Sequence, residues 1–110
     1  MKKLMFVSAA ILAVCLFAAT GFCDTKKGEK IDGKREFVEH CVVCHPDGGN
    51  TINMMKPLHR KELKANGIKS VKDIVDKIRN PGPGMTKFDE KTISKSEAKA
   101  IAEYIMKTFK

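Results

Sequence analysis

Cys41-Val42-Val43-Cys44-His45 constrains this chain more than any other feature. Two thiols three positions apart fit on one helical turn, and a histidine directly follows the second. That arrangement suits thioether bonds to the two vinyl groups of a haem, with the imidazole beneath the iron as an axial ligand. The same C-x-x-C spacing occurs in thioredoxin-like redox pairs and as half of a zinc site. Neither requires the histidine, and both need partners that this chain lacks. The expectation is one haem c, bonded to Cys41 and Cys44, with His45 on the iron.

The N-terminus points the same way. Met1-Lys2-Lys3 leads into an apolar stretch from Leu4 to Ala19 that only Ser8 interrupts. A positive start, a short apolar core and small residues at its end describe a secretory signal peptide over residues 1–23, cut after Gly21 or after Cys23. The apolar run is shorter than the ~20 residues that a bilayer span needs, so no integral membrane segment is expected in the mature chain. Cys23 also stands where a lipid is attached in exported lipoproteins, although bulky Phe22 precedes it. Covalent haem attachment takes place outside the bacterial cytoplasmic membrane. Leader and haem motif therefore agree on the periplasm, or on the outer membrane if Cys23 is lipidated.

Residues 24–110 suffice for one small domain with a thin core, which a buried porphyrin would staple. Lys2 and Lys3 leave with the leader, taking the formal charge from +8 to +6. No arginine-rich or aromatic-interleaved stretch suggests nucleic acid, and tryptophan is absent. A moderately basic surface suits acidic redox partners or an anionic membrane.

Periodicity predicts helices throughout. From Gly33, Phe37, Val38 and Cys41 share a face, with Lys34, Arg35, Glu36 and Glu39 largely outside. Pro46-Asp47-Gly48-Gly49-Asn50 is a turn signal. A Lys-rich helix over about 57–65 ends at Asn66-Gly67, a left-handed cap. Ser70-x-x-Asp73 and Ser94-x-x-Glu97 are capping boxes. The first opens a helix with Val71, Ile74, Val75 and Ile78 inside. The second opens one whose inner face is Ala98, Ile101, Ala102, Ile105 and Phe109. No convincing strand run or repeat occurs, so the fold class is all-α.

The opposite iron ligand has several candidates: Met54, Met55, Met85, Met106, His40 and His59. His40 lies on the same haem face as His45. Met54, Met55 and His59 follow His45 too closely to cross a porphyrin, and Met106 sits within the last helix. Met85 lies forty positions beyond His45, on a loop stiffened by Pro81, Gly82, Pro83 and Gly84. That loop can hold a weak thioether on iron. The alternatives are a core-filling Met85 beside an open iron, or a histidine ligand.

With these features together, the chain resembles class I monohaem cytochromes c, especially the short photosynthetic type and its relatives in dissimilatory metal-reducing bacteria. Gly33 and Phe37 fit the family's G-x-x-x-F, and Ile101 and Tyr104 its apolar-x-x-aromatic pair. Residues 46–52 resemble its Gly-Gly-Asn segment and residues 80–85 its ligand loop. Thr86 stands where proline often follows the methionine. The resemblance implies a cytochrome c fold of four or so helices wrapped around the haem, with the first and last helices crossing at Gly33. It implies His45 and Met85 as axial ligands, and Asn50, Pro57 and Phe88 as candidate haem-pocket residues. The carbonyl of Asn50 or Pro57 would accept the His45 Nδ1 proton.

The function expected is a monomeric periplasmic electron carrier in a respiratory chain, not an enzyme, serving acidic proteins or multihaem cytochromes. Lys56, Arg60, Lys61, Lys64 and Lys87 are the expected docking cations. Competing readings are an open-iron haem sensor or small peroxidase-like enzyme, and a lipoprotein supporting multihaem complexes.

Overall fold

Short helices gain little from backbone hydrogen bonding alone, so each here depends on a cap and a buried face. The computed structural model describes residues 30–110; the expected leader, its cleavage positions and Cys23 lie outside the described residues. Four α-helices follow in order: α1 (Gly33–His40), α2 (Arg60–Ala65), α3 (Val71–Arg79) and α4 (Lys95–Thr108). A 3-10 turn at Pro46–Gly48 separates α1 from α2. There is no strand among the described residues.

The caps form as the side-chain chemistry dictates. Asp32 accepts the Lys34 and Arg35 N–H groups at the start of α1. Both predicted boxes are complete: the Ser70 hydroxyl accepts the Asp73 N–H, the Ser94 hydroxyl accepts the Glu97 N–H, and each acid reaches back to its serine N–H. Gly67 ends α2 in the left-handed region (φ 78°). The Ile68 N–H donates to Leu63 and the Gly67 N–H to Lys64, satisfying two orphan carbonyls.

α4 is the central helix, with α1 and α3 both packed on it. Ala98, Ile101, Ala102 and Ile105 are buried with Phe37, Leu63, Ile74, Ile78 and Ile93 in one core. Glycine makes the α1–α4 crossing feasible: a Cβ on Gly33 would stand 2.2 Å from the Ala100 carbonyl oxygen. Phe37, one turn on, packs against Tyr104 and Phe109 with ring centroids 5.3 and 5.5 Å away.

Two helical predictions change. Glu36, expected outside, is buried at 6% exposure, whereas Val38, expected inside, is 52% exposed. The contact stripe of α1 runs through Gly33, Glu36, Phe37 and His40, and Val38 lies a further 100° around the helix. α2 also starts at Arg60 rather than near Pro57. Leu58 donates its N–H to the Gly48 carbonyl, and His59 is extended, so the chain stays straight until Arg60.

Candidate haem site

The cysteine motif continues the helical path of α1. The Cys41 and Val42 N–H groups bond back to the Phe37 carbonyl, and the Cys44 and His45 N–H groups to the Cys41 carbonyl. This winding leaves Cys41 half-buried, Cys44 exposed and His45 buried at 8% exposure. Burial pushes the Cys41 thiol up to about 11, opposite to the lowered value that activates a thioredoxin-type nucleophile. Nor do Cys41, Cys44 and His45 converge on one point as zinc ligands do; the convergent group among the described residues is Glu36, Glu39 and His40.

The His45 imidazole is held by a carbonyl, though not an expected one. Its Nδ1 lies 2.7 Å from the Gly49 carbonyl oxygen. With Nδ1 donating there, Nε2 keeps a lone pair for a metal. Asn50 and Pro57 are corrected as acceptors because the turn reverses first: Asp47 (φ 52°) and Gly48 (φ 77°) both adopt left-handed angles. That sharp reversal presents the carbonyl of Gly49, four residues on, to the ring.

Asn50 instead organises the next loop. Its Oδ1 accepts the Ile52 and Asn53 N–H groups, and its Nδ2 donates to the Lys56 carbonyl. Thr51 returns its N–H to the Cys44 carbonyl, tying this loop to the motif. Pro57 is half-buried and lines an open cleft with Gly49, Asn50, Thr51 and Met54. A Cβ on Gly48 would meet the Phe109 ring at 2.5 Å, so the end of α4 braces the histidine turn. Sequence reasoning missed this contact; the tandem Gly48-Gly49 was its one available signal.

Met85 is half-buried on a loop anchored at both ends. Behind it, Phe88 donates its N–H to the Ile78 carbonyl, and Arg79 donates Nη1 to the Phe88 carbonyl. Ahead of it, Gly84 (φ 89°) leaves room for Ile52, whose Cγ2 would lie 2.7 Å from an added Cβ. The methionine loop and the loop after His45 therefore meet. Phe88 packs on the core and against the edge of His40, 6.1 Å between centroids. Met54 and Met55 are exposed, Met106 borders the core, and His59 packs its ring against Phe109. Arg60, expected among the docking cations, turns inward and donates Nη2 to the Met106 carbonyl. That correction follows from the α4 terminus lying over the start of α2, where the Arg60 N–H also bonds to the Phe109 carbonyl.

The remaining surface fits a porphyrin. Among the described residues, Val38, Val43, Ile52, Met54 and Met55 are the exposed large hydrophobic residues, and all fall within positions 38–55, around the thiols in sequence. Exposed apolar side chains on both sides of two thiols in the chain, with a histidine whose Nδ1 is engaged, match the chemistry of a haem edge held by two thioethers. These features, within an all-α shell, define a c-type cytochrome. Residues 28–105 match the family of cytochrome c oxidase, cbb3-type, subunit III. A cytochrome c6 of Rippkaea orientalis is 29% identical over 96% of this chain and 93% of its own length. The outer-membrane cytochrome OmcF of Geobacter sulfurreducens superposes with a TM-score of 0.69 and is 46% identical, covering 71% of this chain and 99% of its own. Cytochrome c6C of a Synechococcus gives a TM-score of 0.65 at 27% identity, over 70% of this chain and 93% of its own. The chain belongs to the class I monohaem cytochromes c, a c6-like family of electron carriers, and it carries one covalent haem c.

Proposed function

We propose that this cytochrome is a periplasmic carrier moving single electrons in a respiratory chain, its haem bonded to Cys41 and Cys44 and ligated by His45 and Met85. When bound, the haem supplies a one-electron Fe(III)/Fe(II) couple. The Gly49 carbonyl holds the His45 Nδ1 proton, fixing the ring's tautomer and orientation and raising the basicity of Nε2. Met85 offers a thioether, which favours Fe(II) over Fe(III) relative to a second imidazole and so raises the potential. Residues 80–88 keep that thioether in place through Gly84 against Ile52 and Phe88 against Ile78. His45 and Met85 together would hold the iron from two sides and so would close it to exogenous ligands, which separates a carrier from a sensor or peroxidase.

The observation carrying this reading is the meeting of Gly84 with Ile52, which brings the methionine loop to the segment that follows His45. The test is the ferric optical spectrum. The wild type should be low-spin with the weak far-red band of thioether ligation, and Met85→Ala should lose it. A high-spin wild type, or a band that survives the substitution, sinks the assignment. Exposed Lys56, Lys61, Lys64 and Lys87 offer a basic docking face, in support of acidic or multihaem partners. A transfer rate that does not fall with ionic strength would overturn that face.

The likeness to an outer-membrane cytochrome supports a second reading, a lipoprotein anchored through Cys23. Mass spectrometry of the mature N-terminus separates the two: diacylglycerol on Cys23 establishes the anchor, and a free N-terminus excludes it.

A further inference from the structure

We propose that Glu36, Glu39 and His40 form a site for one divalent cation of the zinc class, on the last turn of α1 directly ahead of Cys41. The three residues occupy positions i, i+3 and i+4, which share one side of a helix. His40 Nε2 lies 3.7 Å from Glu36 Oε2 and 4.0 Å from Glu39 Oε1, and the three ligand atoms all fall within 4.8 Å of one another. Donors at zinc bond lengths in a tetrahedron stand roughly 3.3–3.5 Å apart. Small side-chain rotations close that difference.

Glu36 supplies the independent reason. A carboxylate on the inner stripe of α1 is costly unless compensated, and the Glu36 side chain is only 8% exposed. Arg35 donates Nε and Nη2 to Oε1 of Glu36. Oε2 is aimed at His40 with no hydrogen bond among the described residues. A cation between them would satisfy that oxygen and the imidazole lone pair together. The donors are also held in place, since Glu36 lies on the α1–α4 contact stripe and the Phe88 ring bounds one side of His40. Glu39, 64% exposed, leaves a way in for the ion and room for a water ligand.

One imidazole and two carboxylates select zinc, copper(II) or nickel over magnesium and calcium, which prefer oxygen alone. A cation here, next to the residue that attaches the haem, favours the less positive ferrous state. Zinc therefore raises the midpoint potential, and by linkage the reduced protein binds zinc more tightly by the same factor.

Calorimetric titration of the ferric holoprotein with zinc chloride at neutral pH tests the site. Wild type should take up one zinc per chain. His40→Asn and Glu39→Gln should weaken uptake at least tenfold while keeping the haem spectrum and melting curve, and His59→Asn should bind as wild type does. No saturable uptake, or uptake undiminished in His40→Asn, overturns the site. Redox titration with and without zinc should show a rise in wild type and none in His40→Asn; an unmoved midpoint at saturating zinc overturns the coupling. The calorimetric result is independent of which residue ligates iron opposite His45.

Discussion

The Nδ1 of His45 lies 2.7 Å from the carbonyl oxygen of Gly49, four residues further along the chain. The bond is local in sequence, yet the turn that makes it is braced from the far end of the molecule. Gly48 sits beneath the Phe109 ring, and its carbonyl accepts the Leu58 N–H. The orientation of the His45 imidazole thus depends on the C-terminal helix.

Gly48→Ala should disturb that bracing. The new methyl group would meet the ring at 2.5 Å from a backbone with φ 77°. The left-handed angle alone costs about 1–2 kcal/mol for a non-glycine residue. We expect a lower unfolding midpoint and a shifted reduction potential. Phe109→Ala in the same chain should restore part of the potential shift but not the stability, since the ring's packing is then lost.

Gly84→Ala should loosen the methionine loop. Its φ of 89° carries a backbone cost of about 1–3 kcal/mol. Its Cβ would also press on Ile52 Cγ2. The far-red ferric band should weaken, and ligand-exchange rates for added imidazole should rise. Ile52→Ala alone removes the contact that seats Gly84, so it should weaken the band as well, though less than Gly84→Ala does.

Gly33→Ala should be a folding variant rather than a redox one. Its methyl group would stand 2.2 Å from the Ala100 carbonyl, so α1 and α4 must separate. Overpacking of this kind costs about 1–3 kcal/mol. Chemical denaturation should show the loss, with the haem spectrum of the surviving folded fraction unchanged.

Acid should destabilise the protein through two carboxyls, Asp73 in the first turn of α3 and Asp89 in the loop before α4. Asp89 is held below its ordinary value of 3.8 chiefly by the Thr92 N–H and hydroxyl, and Asp73 chiefly by the Lys69 N–H and then the Ser70 hydroxyl. A depressed folded value means stability fully present above 3.8 and lost as pH falls towards the folded value. Melting temperature should therefore drop below about pH 4. Asp89→Asn keeps the acceptor oxygen while removing the titration, so its melting temperature should fall less steeply over that range.

Much of the molecule was legible because its signals act over a few residues. The serine capping boxes at Ser70 and Ser94 formed as expected, and so did the Gly67 cap, since each joins groups three to five positions apart. The inner face of α4 followed from helical period alone. Other features were not legible. Glu36 carries a charge that argues for the outside, yet the approach of α4 at Gly33 decides which stripe of α1 is covered. Arg60 looked like a surface cation until the α4 terminus placed the Met106 carbonyl beside it.

The haem motif shows the division most clearly. Cys41, Cys44 and His45 determined by themselves that a haem c is attached, because thioether spacing is a matter of one helical turn. Gly82, Gly84 and two prolines likewise marked a non-helical loop ahead of Met85. Only the tertiary structure decided that Gly49 rather than Asn50 or Pro57 holds the imidazole, that Ile52 receives the methionine loop, and that Phe109 supports the turn. Those outcomes rest on contacts between residues far apart in the chain, where competing partners of the same chemistry are separated only by which one packing brings within hydrogen-bond reach.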